Sequence, residues 1–254
     1  MSALLLLHGF TGAPSAWDPV LAHVTARAPI VRPTLAGHGL DPVPATTWDA
    51  EVERISRLLE VQDARDVHLA GYSMGGRFGW SLLARCARIT SATLIGAHPG
   101  LTSEAERTER RARDREWSAL LRDRGLDAFV DRWEDHPVFA SQAELDEASL
   151  AEQRAVRRAH RAEGLADAME AFGLAEMPRT DPAAIRVPVT LLVGSRDEGQ
   201  RHAAEVIGPA LAQARLRAVS GAGHNLLLER PAEVARAIDE AMGARPIDRV
   251  EVRA

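Results

Sequence analysis

Residues 67–77, which read Val-His-Leu-Ala-Gly-Tyr-Ser-Met-Gly-Gly-Arg, are the most informative segment of this 254-residue chain. The apolar start predicts a buried strand, and the residues from Met74 onward predict a helix. Gly71, Ser73 and Gly75 form a Gly-x-Ser-x-Gly motif where strand and helix meet. Glycines at these positions permit a sharp turn that exposes the serine. The segment therefore predicts a nucleophile elbow with Ser73 as nucleophile, and the alternative is an ordinary glycine-rich turn.

A catalytic serine needs a histidine to take its proton and a carboxylate to orient that histidine. After a strand–elbow–helix unit these partners follow in the order serine, acid, histidine. Asp197 follows the apolar run 189–193, and His224 lies in a glycine-rich segment further on. We predict that both complete a triad with Ser73. Asp197 can also be read as a turn or helix-cap residue, and the adjacent Glu198 is a competing acid.

The rest of the chain alternates short apolar runs with helical stretches. This pattern predicts an α/β fold with a mostly parallel central sheet flanked by helices. We predict strands at residues 3–7, 28–32, 67–71, 92–97, 189–193 and 216–219. We predict helices at residues 15–27, 47–61, 74–87, 200–212 and 232–242.

One long stretch, residues 102–180, breaks this alternation. It lacks a strand pattern and is rich in Arg and Glu. We predict that it is a helical cap, or lid, inserted into an α/β-hydrolase-type core formed by residues 1–101 and 181–254. From Gly243 onward the sequence predicts a loose tail.

The composition excludes several classes of function. Apolar residues make up 46% of the chain and charged residues 26%, which is typical of globular proteins. The net charge of −5 argues against a nucleic-acid partner. All 31 basic residues are arginine, so a lysine Schiff base is excluded. The single cysteine, Cys86, excludes an internal disulfide and a multi-cysteine zinc site.

The same survey predicts no cofactor and no membrane span. The nine histidines lack paired ligand spacing, so we predict no metal site. No Gly-x-Gly-x-x-Gly follows the first strand, which argues against a dinucleotide. The apolar run at residues 3–7 is too short for a signal peptide or a membrane span. We expect a cytoplasmic protein that is a monomer or a small homo-oligomer.

The loop after the first strand is a candidate oxyanion site. The backbone N–H of Phe10, with that of Met74 just after the nucleophile, predicts a two-donor oxyanion hole. The alternative is a plain strand-to-helix loop in which His8 only packs. We interpret His38 and His98, which lie beside glycine or proline, as residues that shape loops.

The predicted cap carries a second signal. A charged helix there places Arg110, Asp114 and Trp117 on one face. Such charge runs usually form solvated surfaces. An arginine above an elbow nevertheless suits a carboxylate substrate, because a guanidinium binds a carboxylate in a bidentate manner. Arg77, one turn into the elbow helix, favours the second interpretation.

Together these motifs resemble the α/β-hydrolase superfamily. The narrower resemblance is to the 2-succinyl-6-hydroxy-2,4-cyclohexadiene-1-carboxylate (SHCHC) synthase family of menaquinone biosynthesis, and it extends from Leu4 to about Met242. The motifs that carry it are Gly-Tyr-Ser-Met-Gly-Gly-Arg at residues 71–77, His-Pro-Gly-Leu at 98–101, Glu109-Arg110 with Asp114 and Trp117, and Trp133 followed by Pro-Val-Phe-Ala-Ser at 137–141. The chain departs from the family after Asp197, where Gly199-Gln200 replaces a frequent Lys-Phe.

The resemblance implies a small-molecule substrate, a cyclohexene with several carboxylates, from which pyruvate is eliminated without hydrolysis. It implies that Ser73, Asp197 and His224 form the triad. Positions that match substrate contacts in the family are Tyr72, Arg77, Arg110 and Trp133. A further family arginine matches Arg157 when counted back from residues 164–165 and Arg154 when counted forward from Phe139, so both stay open.

The expected function is therefore a lyase on a hydrolase scaffold. His224 withdraws the Ser73 proton, the serine oxygen acts as base, and the oxyanion hole holds the developing enolate. One alternative is a carboxylesterase, thioesterase or carbon–carbon bond hydrolase that works through an acyl-enzyme. Another is a non-catalytic ligand receptor, which an intact triad disfavours.

Overall fold

A computed structural model describes residues 2–243 as a single parallel sheet flanked by helices. The six strands are β1 (Ser2–Leu7), β2 (Ile30–Val31), β3 (Asp66–Tyr72), β4 (Ile89–Ile95), β5 (Val189–Gly194) and β6 (Ala214–Val219). They pair in the order β2-β1-β3-β4-β5-β6, and every pair is parallel. The predicted α/β class is confirmed, and each predicted strand has a counterpart in the sheet.

Nine helices lie between or after the strands within the described residues. They are α1 (Asp18–Leu21), α2 (Trp48–Val61), α3 (Met74–Arg85), α4 (Glu104–Glu134), α5 (Glu147–Arg158), α6 (Ala162–Ala171), α7 (Glu198–Ile207), α8 (Leu226–Glu229) and α9 (Pro231–Ala241). Short 3-10 turns occupy Pro14–Trp17, Pro137–Glu144, Pro182–Ala184 and Gly208–Ala210. None of the helices in residues 2–243 has both the length and the apolar character needed to cross a bilayer.

The helix predicted at residues 15–27 is wrong in extent. After Leu21 the chain leaves the helix, and the backbone N–H groups of Thr25 and Ala26 donate to the Asp239 carboxylate in α9. This distant partner satisfies donors that a continued helix would have paired internally. The helix predicted at residues 200–212 also ends early, at Ile207, because Pro209 lacks the N–H that a helix interior needs.

The apolar side chains of the strands alternate between two cores, one on each face of the sheet. Leu5 and Leu7 of β1 pack in one cluster, whereas Leu4 and Leu6 pack in the other. Strands buried on both faces are typical of parallel sheets covered by helices. Since all strands run the same way, their carboxyl ends share one edge, where the loops that hold the candidate site residues emerge.

Between β4 and β5 the described chain forms α4, α5 and α6 and no strand. A capping box starts α4, in which Ser103 and Glu106 pair reciprocally. Gly125, with a φ of 78°, kinks the helix. A small apolar cluster that includes Phe129 and Leu165 joins α4 to α6. The division into a core and a cap spanning residues 102–180 stays a prediction. The tail predicted from Gly243 onward lies outside the described residues, apart from Gly243 itself.

Candidate active site

Ser73 occupies a strained turn between β3 and α3. Its φ of 51° and ψ of −111° are rare for a residue other than glycine. The surrounding glycines make the turn sterically feasible: a Cβ on Gly75 would lie 2.3 Å from the Leu7 carbonyl oxygen, and one on Gly71 would lie 2.7 Å from the Gly76 Cα. The chain can therefore turn sharply enough to present the Ser73 side chain to the cavity at the sheet edge.

The three side chains predicted to form a triad lie together. His224 Nδ1 is 2.6 Å from Asp197 Oδ2, and His224 Nε2 is 3.0 Å from Ser73 Oγ. If Nδ1 donates to the carboxylate, Nε2 is free to accept the serine hydroxyl proton. Asp197 also accepts the Gln200 N–H at the start of α7, so it caps that helix as well. The competing acid, Glu198, is exposed.

Glu229 is a buried acid that sequence reasoning does not find. Its Oε2 accepts the Gly223 N–H at 2.6 Å, and its Oε1 accepts the Asn225 N–H at 3.2 Å. One carboxylate thus holds the backbone on both sides of His224. The only sequence signal is an acid directly after the apolar run 226–228, and that signal does not by itself indicate a role.

The 3-10 segment Pro137–Glu144 contacts both triad loops. Ser141 Oγ donates to Glu229 Oε1 at 3.0 Å, which ties the segment to the histidine loop. Arg196, the residue before Asp197, forms an ion pair with Glu144. The segment therefore bridges the acid loop and the base loop.

The two predicted oxyanion donors line the same cavity as Ser73. Met74 is the first residue of α3, where backbone N–H groups lack an intrahelical acceptor. Within residues 2–243 the Phe10 N–H has no hydrogen-bond acceptor either. Both amides are thus available to an oxygen in the cavity, and their joint role stays a prediction.

Two predicted arginines lie at one end of this cavity, which has a volume of about 370 Å³ and is also lined by Arg113. Arg77 Nη1 donates to the Phe172 carbonyl at 2.8 Å. Burial, followed by the positive charge of Arg110, lowers the pKa of Arg77 to about 9, so the group stays protonated at neutral pH. Arg110 Nε donates to Asp114 Oδ1 at 2.8 Å. This end of the cavity is positively charged and partly desolvated.

The structure distinguishes the two open candidates for the further arginine. Arg157 is only 4% exposed, and its guanidinium lies 4.9 Å from the centre of the Phe139 ring. It lines a smaller cavity that shares Tyr72 and Phe139 with the wall of the larger one. Arg154 is exposed and lines neither cavity. Both arginines pair with Glu134, Arg157 through Nη1 at 2.9 Å. Arg157 is thus the candidate placed near the site.

Aromatic side chains form much of the remaining wall. Trp133 and Phe139 line the cavity, with ring centres 5.9 Å apart. Tyr72 packs so closely against the oxyanion loop that a Cβ on Gly9 would lie 2.8 Å from its ring. Burial raises the pKa of Tyr72, so its hydroxyl stays neutral.

The other histidines near the site have distinct environments. His8 is buried, its Nε2 accepts the Leu35 N–H at 3.0 Å, and burial lowers its pKa to about 4. His98 Nδ1 accepts the Gly100 N–H, as expected for a loop-shaping residue, but the side chain also lines the cavity. Residues 2–243 contain no group of three or more His, Cys, Asp or Glu side chains arranged to hold a metal ion.

Comparison with known proteins places this geometry in context. Residues 4–237 match the family described as the alpha/beta hydrolase family. The chain is 33% identical over 240 residues to the 2-succinyl-6-hydroxy-2,4-cyclohexadiene-1-carboxylate synthase of Salmonella typhimurium, covering 91% of this chain and 90% of that protein. Among solved structures it superposes on MenH from S. aureus with a TM-score of 0.90, 27% identity and coverage of 95% and 93%. The enol-lactonase from Burkholderia xenovorans shares the fold, with a TM-score of 0.79, 23% identity and coverage of 95% and 91%.

Proposed function

Since the chain belongs to the alpha/beta hydrolase family, we propose that it is a carbon–oxygen lyase that eliminates pyruvate from a polycarboxylate cyclohexene, the SHCHC synthase reaction of menaquinone biosynthesis. The observation that carries this proposal is a hydrogen-bonded Ser73–His224–Asp197 chain that opens into an arginine-lined cavity. Guanidinium groups in the cavity wall suit a substrate with carboxylates, whereas a neutral ester has no charge for them to bind.

The chemistry begins at the serine. His224, oriented by Asp197, takes the hydroxyl proton, and the Ser73 oxygen removes a ring C–H proton beside the substrate ketone. The electrons of that C–H bond form a new ring double bond through an enolate, and the ring C–O bond breaks. The proton held by His224 passes to the leaving enolpyruvate, which becomes pyruvate. No bond to water forms, so the step is an elimination.

The enolate is the species that the site must stabilise. The N–H groups of Phe10 and Met74 are available to its oxygen, and donors fixed in advance in a water-poor site stabilise such charge strongly. Arg77 and Arg110 would hold a substrate carboxylate at one end, and Arg157 would hold another beyond Tyr72. Fixing the substrate at both ends would align its C–H bond with the serine oxygen.

The decisive experiment is a continuous assay of pyruvate release from the synthase substrate, run beside a panel of carboxylic and thioesters. We expect pyruvate release and little ester cleavage, and Ser73→Ala should lower turnover by several orders of magnitude. Ester cleavage with an acyl-enzyme burst and no pyruvate would instead establish a hydrolase.

A matched pair of arginine variants tests the carboxylate role. Arg110 and Arg111 are neighbours on α4 with side-chain exposures of 33% and 34%, but only Arg110 lines the cavity. We expect Arg110→Ala to lower pyruvate release at least about tenfold, as charged hydrogen bonds contribute ~1.5–3 kcal/mol, and Arg111→Ala to have little effect. Equal losses in both variants would contradict the proposal.

A further inference from the structure

A carboxylate in the wall of an anion-binding cavity needs an explanation, because it repels the proposed substrate. Asp114 is only 5% exposed, and it lines the cavity together with Ser73. Its one hydrogen bond to a charged partner within residues 2–243 is the 2.8 Å contact from Arg110 Nε, one helical turn earlier.

This contact fixes the orientation of Arg110. A guanidinium has five N–H donors in a rigid plane, and Asp114 engages the one on Nε. The terminal NH₂ groups are then left for the cavity. The carboxylate itself is confined, because a Cβ on Gly173 would lie 2.5 Å from Asp114 Oδ2. Close packing against the Gly173 backbone thus holds the acid, and the acid holds the arginine.

Asp114 also sets the charge at this end of the cavity. Arg77 and Arg110 carry two positive charges that interact with each other, and Asp114 interacts with both. Burial raises the pKa of Asp114, whereas Arg110 and then Arg77 oppose that rise. Arg113, which also lines the cavity, is paired with Glu109 at 3.5 Å, so Arg77, Arg110 and Asp114 together leave a single net positive charge. Two partly buried guanidinium groups with no counter-ion would be costly.

We propose that Asp114 is a positioning and specificity-determining residue, which directs the terminal NH₂ groups of Arg110 into the cavity and limits this end to one net positive charge. This end consequently accepts a single carboxylate. The inference rests on the proposed function for the identity of the substrate, but the charge balance itself can be measured without turnover.

The test uses Asp114→Asn in the full chain, with inorganic sulfate as probe. Trp117 and Trp133 line the cavity, so tryptophan fluorescence reports sulfate binding. We expect sulfate to bind about tenfold more tightly to the variant, since a nearby negative charge is removed. In the pyruvate assay we expect KM to rise about tenfold with a smaller change in kcat, because Arg110 loses its fixed orientation.

Glu104→Gln is the matched control for Asp114→Asn. Glu104 forms an ion pair on α4 with Arg111, which does not line the cavity, so the control removes the same charge from a solvated position. It should change sulfate affinity less than twofold. The double variant Asp114→Asn/Arg110→Gln restores one net positive charge and should return sulfate affinity to near the wild-type value.

Several results would overturn the inference: sulfate affinity unchanged or weakened in folded Asp114→Asn, or tightened equally in Glu104→Gln. If Asp114→Asn does not fold, Gly173→Ala displaces the carboxylate without altering its charge. It should raise KM and leave sulfate affinity within twofold, and an unchanged KM would refute the positioning role. Tighter sulfate binding in Asp114→Asn, with no pyruvate released by the wild type, would reject the proposed reaction and support the charge assignment.

Discussion

Replacing Glu229 by alanine should destabilise the protein and disable the base together. The substitution removes three hydrogen bonds, from Gly223 N–H, Asn225 N–H and Ser141 Oγ–H. Two of these donors are buried backbone groups, and an unsatisfied buried donor costs ~1–3 kcal/mol. Water entering the vacated space offsets part of this cost, so we expect a loss of about 3 kcal/mol in the free energy of unfolding.

The effect on catalysis follows from the position of His224. Both lost backbone contacts flank it, so the ring is no longer held against Ser73 at 3.0 Å. A misplacement of about 1 Å costs on the order of 100-fold in rate. We therefore expect kcat to fall about 100-fold, measured by pyruvate release at a temperature where the variant is folded. Urea unfolding followed by tryptophan fluorescence gives the stability change.

Two controls separate the roles of the individual contacts. Ser141→Ala removes one of the three hydrogen bonds and should cost about 1 kcal/mol with turnover within a few fold of wild type. Glu229→Gln keeps the shape of the side chain but places an NH₂ group against one of the backbone N–H donors. Its losses in stability and kcat should therefore lie between those of Ser141→Ala and Glu229→Ala. A Glu229→Ala protein with unchanged unfolding midpoint and unchanged kcat would show that the histidine loop is held by other contacts.

Three further predictions concern the elbow, the arginines and pH. Gly75→Ala should lower the free energy of unfolding by at least ~2 kcal/mol in urea titrations, because its methyl group would lie 2.3 Å from the Leu7 carbonyl oxygen; an unaltered midpoint would contradict the close packing. Arg157→Gln should raise KM for the synthase substrate by about tenfold, whereas Arg154→Gln should leave it unchanged. A larger rise in KM for Arg154→Gln would show that Arg154, and not Arg157, contacts the substrate. Burial lowers the pKa of His68 to about 4, so the unfolded chain binds the proton before the folded chain does as pH falls below 6.5. About 3 kcal/mol of the free energy of unfolding, present above pH 6.5, is therefore lost by pH 4. His68→Gln should reduce this pH dependence in unfolding measured between pH 7 and 4.5.

The features that local sequence determines were predictable. The elbow needs small residues at fixed positions around Ser73, so its motif and flanking patterns lie within one short segment. Asp197 and His224 follow the parallel strands β5 and β6 in a fixed chain order, which places them at the same sheet edge. The four central strands, β1, β3, β4 and β5, were predictable for the same reason, since a buried parallel strand is a short apolar run.

The features that depend on distant contacts were not predictable. Arg154 and Arg157 lie on the same helix, and only the packing of α5 determines which one is buried. Glu229 gains its role from contacts with the loop around His224 and with Ser141. The predicted first helix fails because Asp239, more than 200 residues away, pairs with the Thr25 N–H.

The bridge formed by Pro137–Glu144 couples two loops that lie apart along the chain. The segment shares one hydrogen bond with the loop of the base and one ion pair with the loop of the acid. A displacement of the segment away from the two loops has to part both contacts, which removes a support from each loop at once. The geometry around Asp197 and His224 therefore depends on a segment that lies more than 50 residues earlier in the chain than either loop.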